Sequence, residues 1–405
     1  MPKRPTQGGL LLLTLLQQFP ATVFLYGEPF FARERFQWST GKIGLSQAMV
    51  GLAIAVSSYI GGKLAHKQNP RAGVALGILF SIAFSLLGWA LGGTEPLFVL
   101  TFVGFAFFSA LVWPGIEVAL VEGQPIGRVA HRISYYNLTW SFGSALSFLL
   151  STRLMVWLGL KALLLLPAIL YSINLILLRW LFPRHIAPET DTAETVDELT
   201  EEARIEEERN KRSPEERRGF RILGWIANPF GVIALNVFIS SSPAIQTRLH
   251  IPFAEASMWC SLWLFFRTLS FELVRRWTWW HYRWGFLVGV FFVMMVSFGA
   301  TTLAPNLAVL VTAQAVFGLC LGLLYQSSLF YSLADSEAAG EHGGMHECVI
   351  GLGNMSGNLV LYLSSLWFAQ SIHLPIFCVL GVMTVGWWTL LRLGLRIRAL
   401  RVSSA

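Results

Sequence analysis

The amino-acid sequence predicts an all-α membrane protein with twelve transmembrane helices in two pseudo-symmetric six-helix bundles. Three observations indicate this fold class: an apolar composition, the number of long apolar segments and an internal repeat. Hydrophobic residues make up 54% of the chain, charged residues make up 13%, and the mean hydropathy is +0.57. Soluble domains carry about 25% charged residues. The composition therefore indicates a chain embedded in a lipid bilayer.

Twelve segments are long and apolar enough to cross a hydrocarbon core of about 30 Å. They lie at residues 10–32, 41–62, 72–92, 97–121, 133–152, 160–183, 221–242, 254–274, 284–303, 307–333, 347–370 and 374–392. The first segment follows a short basic stretch, as a signal peptide does. We interpret it as a retained helix, because it continues through Phe31 without a small-x-small cleavage site.

An internal repeat relates the two halves of the chain. The pattern Arg-x-Gly-x-x-x-Gly occurs twice, 212 residues apart, at Arg71-Gly73-Gly77 and at Arg283-Gly285-Gly289. Trp113 in the fourth segment corresponds to Tyr325 in the tenth at the same offset, and Gly143 corresponds to Gly357 with a drift of two residues. Duplicated halves made of apolar segments are typical of secondary transporters, whose substrate site lies between the halves.

The segment between the halves differs in composition. Residues 184–219 hold 12 of the 23 acidic residues, interleaved with arginine and lysine. Such mixed-charge sequence stays in water and does not form a core. We therefore expect an N-terminal six-helix bundle at residues 1–183, a charged cytoplasmic linker at 184–219 and a C-terminal six-helix bundle at 220–405.

The distribution of positive charge predicts the orientation. Most of the lysine and arginine residues of the short loops fall on the side that also holds the two termini, among them Lys63 and Arg132. This bias places both termini in the cytoplasm. The expected location is the plasma membrane, in a bacterium the inner membrane. The formal net charge of +7 then reflects membrane topology, and no nucleic-acid partner is expected.

Other classes of site have little support. The four cysteines show no CxxC spacing, and no phosphate-binding Gly-rich loop is present. His342 and His346 have the spacing of a metal-binding pair on a helix, which would indicate an intramembrane metalloenzyme. Gly343 and Gly344 argue against a regular helix there, and a third ligand is not evident nearby. We expect a protein without enzymatic activity, cofactor or metal.

One loop carries a family resemblance. Residues 62–71, Gly-Lys-Leu-Ala-His-Lys-Gln-Asn-Pro-Arg, resemble the signature Gly-x-Leu-Ala-Asp-Arg-x-Gly-Arg-Arg of the major facilitator superfamily. The matching positions are Gly62, Leu64, Ala65, Lys67 and Arg71, whereas His66 replaces the acid and Asn69-Pro70 replace Gly-Arg. With twelve segments and a long central loop, the resemblance covers the whole chain. It implies two six-helix bundles around a cavity that opens alternately to each side.

Two departures from the family pattern concern the type of transporter. The fourth segment lacks the arginine that many proton-coupled members carry, and the fifth lacks the Gly-Pro pair typical of drug antiporters. Both departures weigh against a proton-driven drug exporter.

The distribution of polar residues supports a water-filled pathway. Segments 3, 9 and 12 contain no asparagine, glutamine or charged residue in their interiors, whereas segments 1, 4, 5, 7, 8, 10 and 11 do. Polar side chains in a membrane usually face a cavity or another helix. The resemblance implies that helices 3, 6, 9 and 12 lie outside the cavity. Asn174 in segment 6 is the exception.

The candidate substrate-binding residues are polar or aromatic and lie in the segments that are expected to line the cavity: Arg267, Trp263, Asn137, Trp140, Asn236, Tyr325, Gln326 and Asn354. Arg267 is the most deeply placed charge and would hold an anionic group. Trp263 lies four residues earlier on the same face and would stack on it. The alternatives are a structural arginine paired with a neighbouring helix, and aromatic residues that serve helix packing.

Two further sets concern coupling and gating. Glu28 and Glu117 are candidates for a coupling carboxylate. Alternatively, Glu28 is a boundary carboxylate in water and Glu117 pairs with Arg128 or Arg132. The gating candidates lie in the basic loops of the two halves: Gly62, Lys67, Arg71 and Arg283.

The sequence thus predicts a monomeric secondary or facilitative transporter of a small organic solute, working by alternating access with a proton or sodium ion for coupling. Its partners are the small-molecule substrate and the lipid bilayer. The alternative is a transport-inactive receptor or assembly partner on the same scaffold. Flux after reconstitution distinguishes the two.

The topology can be tested by cysteine labelling or reporter fusions. Because twelve crossings return the chain to its starting side, Glu95, Lys161 and His373 should be labelled from outside the cell, and Asn69, Glu207 and His342 from inside. Termini on opposite faces of the membrane would contradict the twelve-crossing topology.

Overall fold

The computed structural model describes residues 7–67, 70–121, 126–182, 207, 210–276, 279–333, 339–368, 371 and 373–403. Over these residues it contains fourteen α-helices and no β-strand. The helices are α1 (Gln7–Phe36), α2 (Thr40–Lys67), α3 (Pro70–Leu91), α4 (Glu95–Ala110), α5 (Trp113–Val121), α6 (Ile126–Leu158), α7 (Ala162–Leu181), α8 (Pro214–Arg248), α9 (Phe253–Cys260), α10 (Leu262–Arg276), α11 (Trp284–Thr302), α12 (Leu307–Leu333), α13 (Ala339–Trp367) and α14 (Leu374–Ser403).

Two of the twelve predicted segments consist of a pair of helices. In the described residues, eleven helical stretches are by themselves long and apolar enough to cross a membrane, one of them spanning α4 and α5. The predicted eighth segment is not among them, because it is divided into α9 and α10 at Ser261. There the Ser261 amide donates to the carbonyl oxygen of Met258, three residues earlier, at 3.3 Å. This tighter turn interrupts the regular α-helical pattern.

The two halves repeat one packing arrangement. In the first half, α1 packs against α6 and α7, α3 packs against α4 and α7, and α2 packs against α4. In the second half, α8 packs against α13 and α14, α11 packs against α12 and α14, and α10 packs against α12. These sets match helix by helix, so the predicted fold of two pseudo-symmetric six-helix halves is confirmed.

The helices α3, α7, α11 and α14 lie at the periphery. They expose large apolar side chains, for example Leu79, Ile176, Val296 and Val385, at 50%, 58%, 54% and 67%. Such faces suit lipid tails, and these are the four helices that the family resemblance places outside the cavity. Asn174 of α7 is buried inside the first half, where its amide donates to Gln17 Oε1 of α1 at 3.4 Å.

The second half begins with a well-capped helix. The Ser213 hydroxyl accepts from the Glu216 amide at 3.2 Å, and the Glu216 carboxylate accepts from the Ser213 amide at the same distance. Pro214 occupies the first turn. This capping box satisfies backbone donors that the helix start would leave free. Helix α8 therefore starts at Pro214, a few residues before the apolar segment.

The halves contact each other mainly in two places, where α2 packs against α13 and where α6 packs against α9 and α10. At the first crossing, a Cβ atom on Gly51 would lie 2.4 Å from the backbone nitrogen of Met355. A Cβ atom on Gly351 would lie 2.4 Å from the backbone nitrogen of Ala55. Only glycine permits this approach of the two backbones, as in other close helix pairs in membranes.

An even number of crossings puts the start of α1 and the end of α14 on one side. We call this the termini side and the other the distal side. Near the distal side, Gly41 approaches the Ser365 side chain, where an added Cβ would lie 2.7 Å away. Between α6 and α9, the hydroxyl groups of Thr152 and Ser257 lie 2.8 Å apart, and each hydroxyl accepts a hydrogen bond from the other residue's backbone amide. The halves are therefore in contact at the distal side.

Candidate functional site

A cavity of about 170 Å³ lies between the two halves. Helices α1, α2, α4, α5 and α6 of the first half and α8, α10, α12 and α13 of the second half contribute its described lining residues. The peripheral helices α3, α7, α11 and α14 contribute none of them. The predicted polar segments thus surround the cavity, together with α2, which was not among them.

Arg267 of α10 lies in the cavity wall with 5% of its surface exposed. Its guanidinium carbon is 4.6 Å from the ring centre of Trp140, 5.0 Å from that of Tyr325 and 5.6 Å from that of Phe271. Among the described residues no carboxylate forms an ion pair with it, and its buried Nε has no hydrogen-bond partner.

This environment leaves the cation able to bind an anion. Aromatic faces attract a guanidinium through their quadrupole, but they accept none of its hydrogen bonds in the way that a carboxylate does. A buried donor without a partner is uncommon and costs free energy. An anionic group in the cavity would supply the missing acceptor for Arg267.

Hydrogen bonds behind the wall hold Trp140 in place. Its indole nitrogen donates to Asn137 Oδ1 at 2.9 Å, and the Asn137 amide donates to Gln326 Oε1 at 3.0 Å. Asn137 is fully buried, and neither amide residue lines the cavity. Because Gln326 belongs to α12, this chain of hydrogen bonds joins the two halves and orients the aromatic face beneath Arg267.

Two asparagines of the second half do line the cavity. The Asn236 amide donates to the Val232 carbonyl oxygen at 3.0 Å. Asn354 Oδ1 accepts from the Asn358 amide at 2.7 Å, and Asn358 Oδ1 accepts from Ser240 at 2.6 Å. The carboxamides that we expected to meet the substrate are therefore held at the wall by hydrogen bonds within α8 and α13.

Trp263 lies elsewhere than its spacing suggested. It is fully buried, with its ring 6.2 Å from that of Phe317 and 6.4 Å from that of Tyr26, and it is not a lining residue. Helix α12 approaches it closely, because a Cβ on Gly318 would lie 2.1 Å from the Trp263 carbonyl oxygen. The ring thus packs towards α12, and Arg267 stacks on Trp140 of the other half.

The two candidate coupling carboxylates lie one hydrogen bond behind the cavity. Glu28 is fully buried and accepts from Ser46 at 3.0 Å and from Gln47 at 2.8 Å. The alternative of a boundary carboxylate in water is therefore wrong. Glu117 accepts from the Tyr136 hydroxyl at 3.3 Å. Gln47 and Tyr136 line the cavity.

Arg128 and Arg132 were the expected partners of Glu117. Arg132 donates to the Leu120 carbonyl oxygen at 3.5 Å. The side chain of Arg128 lies outside the described residues.

The structure places His346 in a helix, whereas the sequence suggested that the helix starts only at Glu347. Helix α13 begins at Ala339 and includes Gly343 and Gly344. The His346 ring lies 5.2 Å from the Tyr325 ring, and Glu347 lines the cavity. The side chain of His342 is outside the described residues. Among the residues that were described, no three potential metal ligands cluster.

Sequence reasoning also missed Tyr26 and Gln47 as lining residues. Glu347 could have been predicted from Asn354. Glu347, Gly351 and Asn354 recur at intervals of four and three residues, which places them on one face of α13, and all three line the cavity.

The gating candidates lie near the termini side. Gly62 is buried near the end of α2, and Arg71 lies in the first turn of α3. Arg283 is exposed, with its guanidinium carbon 5.2 Å from the Trp279 ring centre. The Lys67 side chain lies outside the described residues. Their gating role stays a prediction.

Known proteins match both the sequence and the fold. Residues 10–365 match the Major Facilitator Superfamily. Glycerol-3-phosphate transporters of Bacillus subtilis (strain 168) and Haemophilus influenzae are 24% and 23% identical over 152 and 142 residues. These alignments cover 36% and 31% of this chain and 34% and 29% of the relatives. The chain thus matches about a third of the length of these relatives.

The fold is that of solved transporter structures. The nucleoside transporter NupG is 13% identical, with a TM-score of 0.67 over 96% of this chain and 98% of that chain. The human organic anion transporter MFSD10 (TETRAN) is 11% identical, with a TM-score of 0.68 over 96% of this chain and 100% of that chain. The match over residues 10–365 shows that the chain belongs to the major facilitator superfamily, a family of membrane transporters.

Proposed function

We propose that this protein transports a small organic anion across the plasma membrane by alternating access. The observation that carries the proposal is Arg267, a buried cation in the wall of a central cavity with an unpartnered Nε. Its position between the halves is where transporters with duplicated halves bind substrate. Membership of the family favours transport over the alternative of an inactive receptor. The activity involves no chemical step on the solute.

The size and lining of the cavity suit a small amphipathic anion. The anionic group would accept hydrogen bonds from Arg267, whose planar guanidinium matches a carboxylate or phosphate. Trp140 and Tyr325 would contact the carbon skeleton, and Asn236 and Asn354 offer polar groups to hydroxyl substituents. The names of two similar proteins, a glycerol-3-phosphate transporter and an organic anion transporter, are consistent with this class.

The transport cycle would open and close the contacts between the halves. The contact of Thr152 with Ser257 and the α2–α13 crossing would separate for the distal side to open. Both termini would lie in the cytoplasm and the protein would act as a monomer. The division into two bundles joined by a charged linker at residues 184–219 is part of this proposal. When the distal side is open, the gating residues would hold the two halves together at the termini side.

The proposal for Arg267 is tested by measuring flux and melting temperature on the same purified variants. Arg267→Ala should reduce uptake of small organic phosphates and carboxylates at least about 100-fold and leave the melting temperature near wild type, since a lost charge-assisted pair costs about 3 kcal/mol. Arg267→Lys should restore little, because an ammonium lacks the planar fork.

The matched control is Arg275→Ala on the same helix. Arg275 pairs with Glu272 at 2.8 Å and is not a lining residue, so its variant should transport normally. Normal flux in Arg267→Ala, or flux of neutral solutes alone, would exclude the proposed role of Arg267.

The distal contact is tested by a disulfide. Thr152→Cys combined with Ser257→Cys, in a background without the four native cysteines, should cross-link on oxidation because the two side chains touch. Flux should then fall at least about 10-fold if opening of this contact limits transport, and a reductant should restore it. Each single cysteine variant is the control. Unchanged flux in fully cross-linked protein would show that the distal contact does not open.

The coupling role of Glu28 and Glu117 is tested by gradient-driven uptake. If one of them carries the proton, Glu→Gln at that position should abolish accumulation driven by a pH gradient and retain exchange of labelled for unlabelled solute. The amide is nearly isosteric but does not titrate. Gradient-driven accumulation in both variants would exclude both residues, and dependence on sodium alone would identify the other ion.

A further inference from the structure

A second cavity, of about 550 Å³, opens at the termini side of the second half. It lies where α8 and α11 begin and α14 ends, and its described lining shares no residue with the central cavity. The charged and indole side chains in its wall are Arg212, Glu216, Trp279, Arg283, Trp284 and Arg398.

Positive charge exceeds negative charge in this cavity. Among the described lining residues there are three guanidinium groups and one carboxylate, that of Glu216, which is 6% exposed and bonded to the start of α8 in the capping box. Arg283 and Arg398 are exposed side chains. The cavity therefore favours an anionic ligand that approaches from outside the helix bundle.

The location identifies the kind of anion. Trp284 is the first residue of α11, and Ile397 lies at the end of the α14 membrane span. The cavity is thus at the level of the membrane boundary, where tryptophan side chains are enriched. Arg283 stacks on Trp279 at 5.2 Å, which places its charge at this boundary.

Two of the helices that line this cavity also expose apolar side chains along their membrane-spanning parts. Helices α11 and α14 pack side by side. Below the cavity they expose Phe292 at 44%, Leu395 at 48% and Trp388 at 50%. A ligand with a charged group in the cavity and hydrocarbon chains along α11 and α14 would satisfy both surfaces.

We propose that this cavity binds the head group of an anionic phospholipid from the surrounding bilayer. The phosphate would lie between Arg283 and Arg398, and the acyl chains would follow the exposed face of α11 and α14. Clusters of arginine on the cytoplasmic side of transmembrane helices attract anionic lipids in this way. The site shares no described lining residue with the central cavity, and it adds a second role to the proposed gating role of Arg283.

The test is native mass spectrometry of the purified full chain, titrated with phosphatidylglycerol or phosphatidylcholine. Wild type should bind phosphatidylglycerol more tightly. Arg283→Gln combined with Arg398→Gln should weaken phosphatidylglycerol binding roughly 30-fold, about fivefold for each arginine, and leave phosphatidylcholine binding unchanged. Arg35→Gln is the matched control, because Arg35 is also exposed and stacks on Phe36 at 5.8 Å, but on the distal side.

Two further measurements complete the test. Arg283→Lys combined with Arg398→Lys keeps both positive charges and should keep the preference for phosphatidylglycerol over phosphatidylcholine. This variant tests the role of charge even if the Gln variant does not fold. Equal binding of the two lipids by wild type, or an unchanged preference in a folded Gln variant, would overturn the proposal. Competition by glycerol phosphate at the same concentration as phosphatidylglycerol would also overturn it, since a free anion would then be the ligand.

Discussion

The buried guanidinium of Arg267 is the constraint around which the centre of the molecule is arranged. Removing such a charge from water costs several kcal/mol unless other groups stabilise it. Here three aromatic rings lie against it, and they come from both halves: Trp140 from the first, Tyr325 and Phe271 from the second. The Glu347 carboxylate in the same cavity wall also attracts it electrostatically, without an ion-pair contact. The contact with Trp140 exists only while α6 and α10 are together. The stability of the cation therefore depends on how the halves are placed, and a ligand bound to Arg267 would shift that equilibrium.

A second group of buried polar residues, Gln17, Ser109 and Tyr171, holds helices of the first half together. In the first half, the Gln17 side chain donates to Ser109 and to the Tyr171 hydroxyl, and Tyr171 OH lies 2.8 Å from Ser109 Oγ. This cluster joins α1, α4 and α7, and its members bond mainly to one another. Polar groups in lipid gain most when they satisfy each other, and they then fix the helices. Arg267 of the cavity wall differs from this cluster because it carries a charge and lacks a hydrogen-bond partner at Nε.

The bilayer explains which features could be predicted from the sequence. It sets the length of each apolar segment and makes every buried polar group costly, so the crossings follow from composition, and polar residues identify most of the cavity-facing helices. The exceptions are α2, which lines the cavity but was not among the predicted polar segments, and α7, whose Asn174 is buried away from the cavity. The division at Ser261, the stacking of Arg267 on Trp140 and the helix through Gly343 and Gly344 depend instead on contacts between distant segments. Two glycines cost a helix about 2 kcal/mol relative to alanine. Packing of α13 against α2 offsets that cost. The sequence around Gly343 and Gly344 does not reveal this packing, because α2 is distant along the chain.

The internal repeat makes clear where the two halves differ. At the offset of 212 residues Arg267 corresponds to Ala55, and at the offset of 214 that relates Gly143 to Gly357, Trp140 corresponds to Asn354 and Asn137 to Gly351. The α2–α13 and α10–α6 contacts are therefore equivalent positions of one repeat. In the first, Ala55 meets Gly351 and the backbones touch. In the second, Arg267 meets Trp140, and large side chains occupy the space between the helices. Small residues thus let α2 and α13 touch, whereas Arg267 and its aromatic partner Trp140 lie between α10 and α6. The backbone is repeated, whereas equivalent positions carry different side chains: Ala55 corresponds to Arg267, and Asn354 corresponds to Trp140.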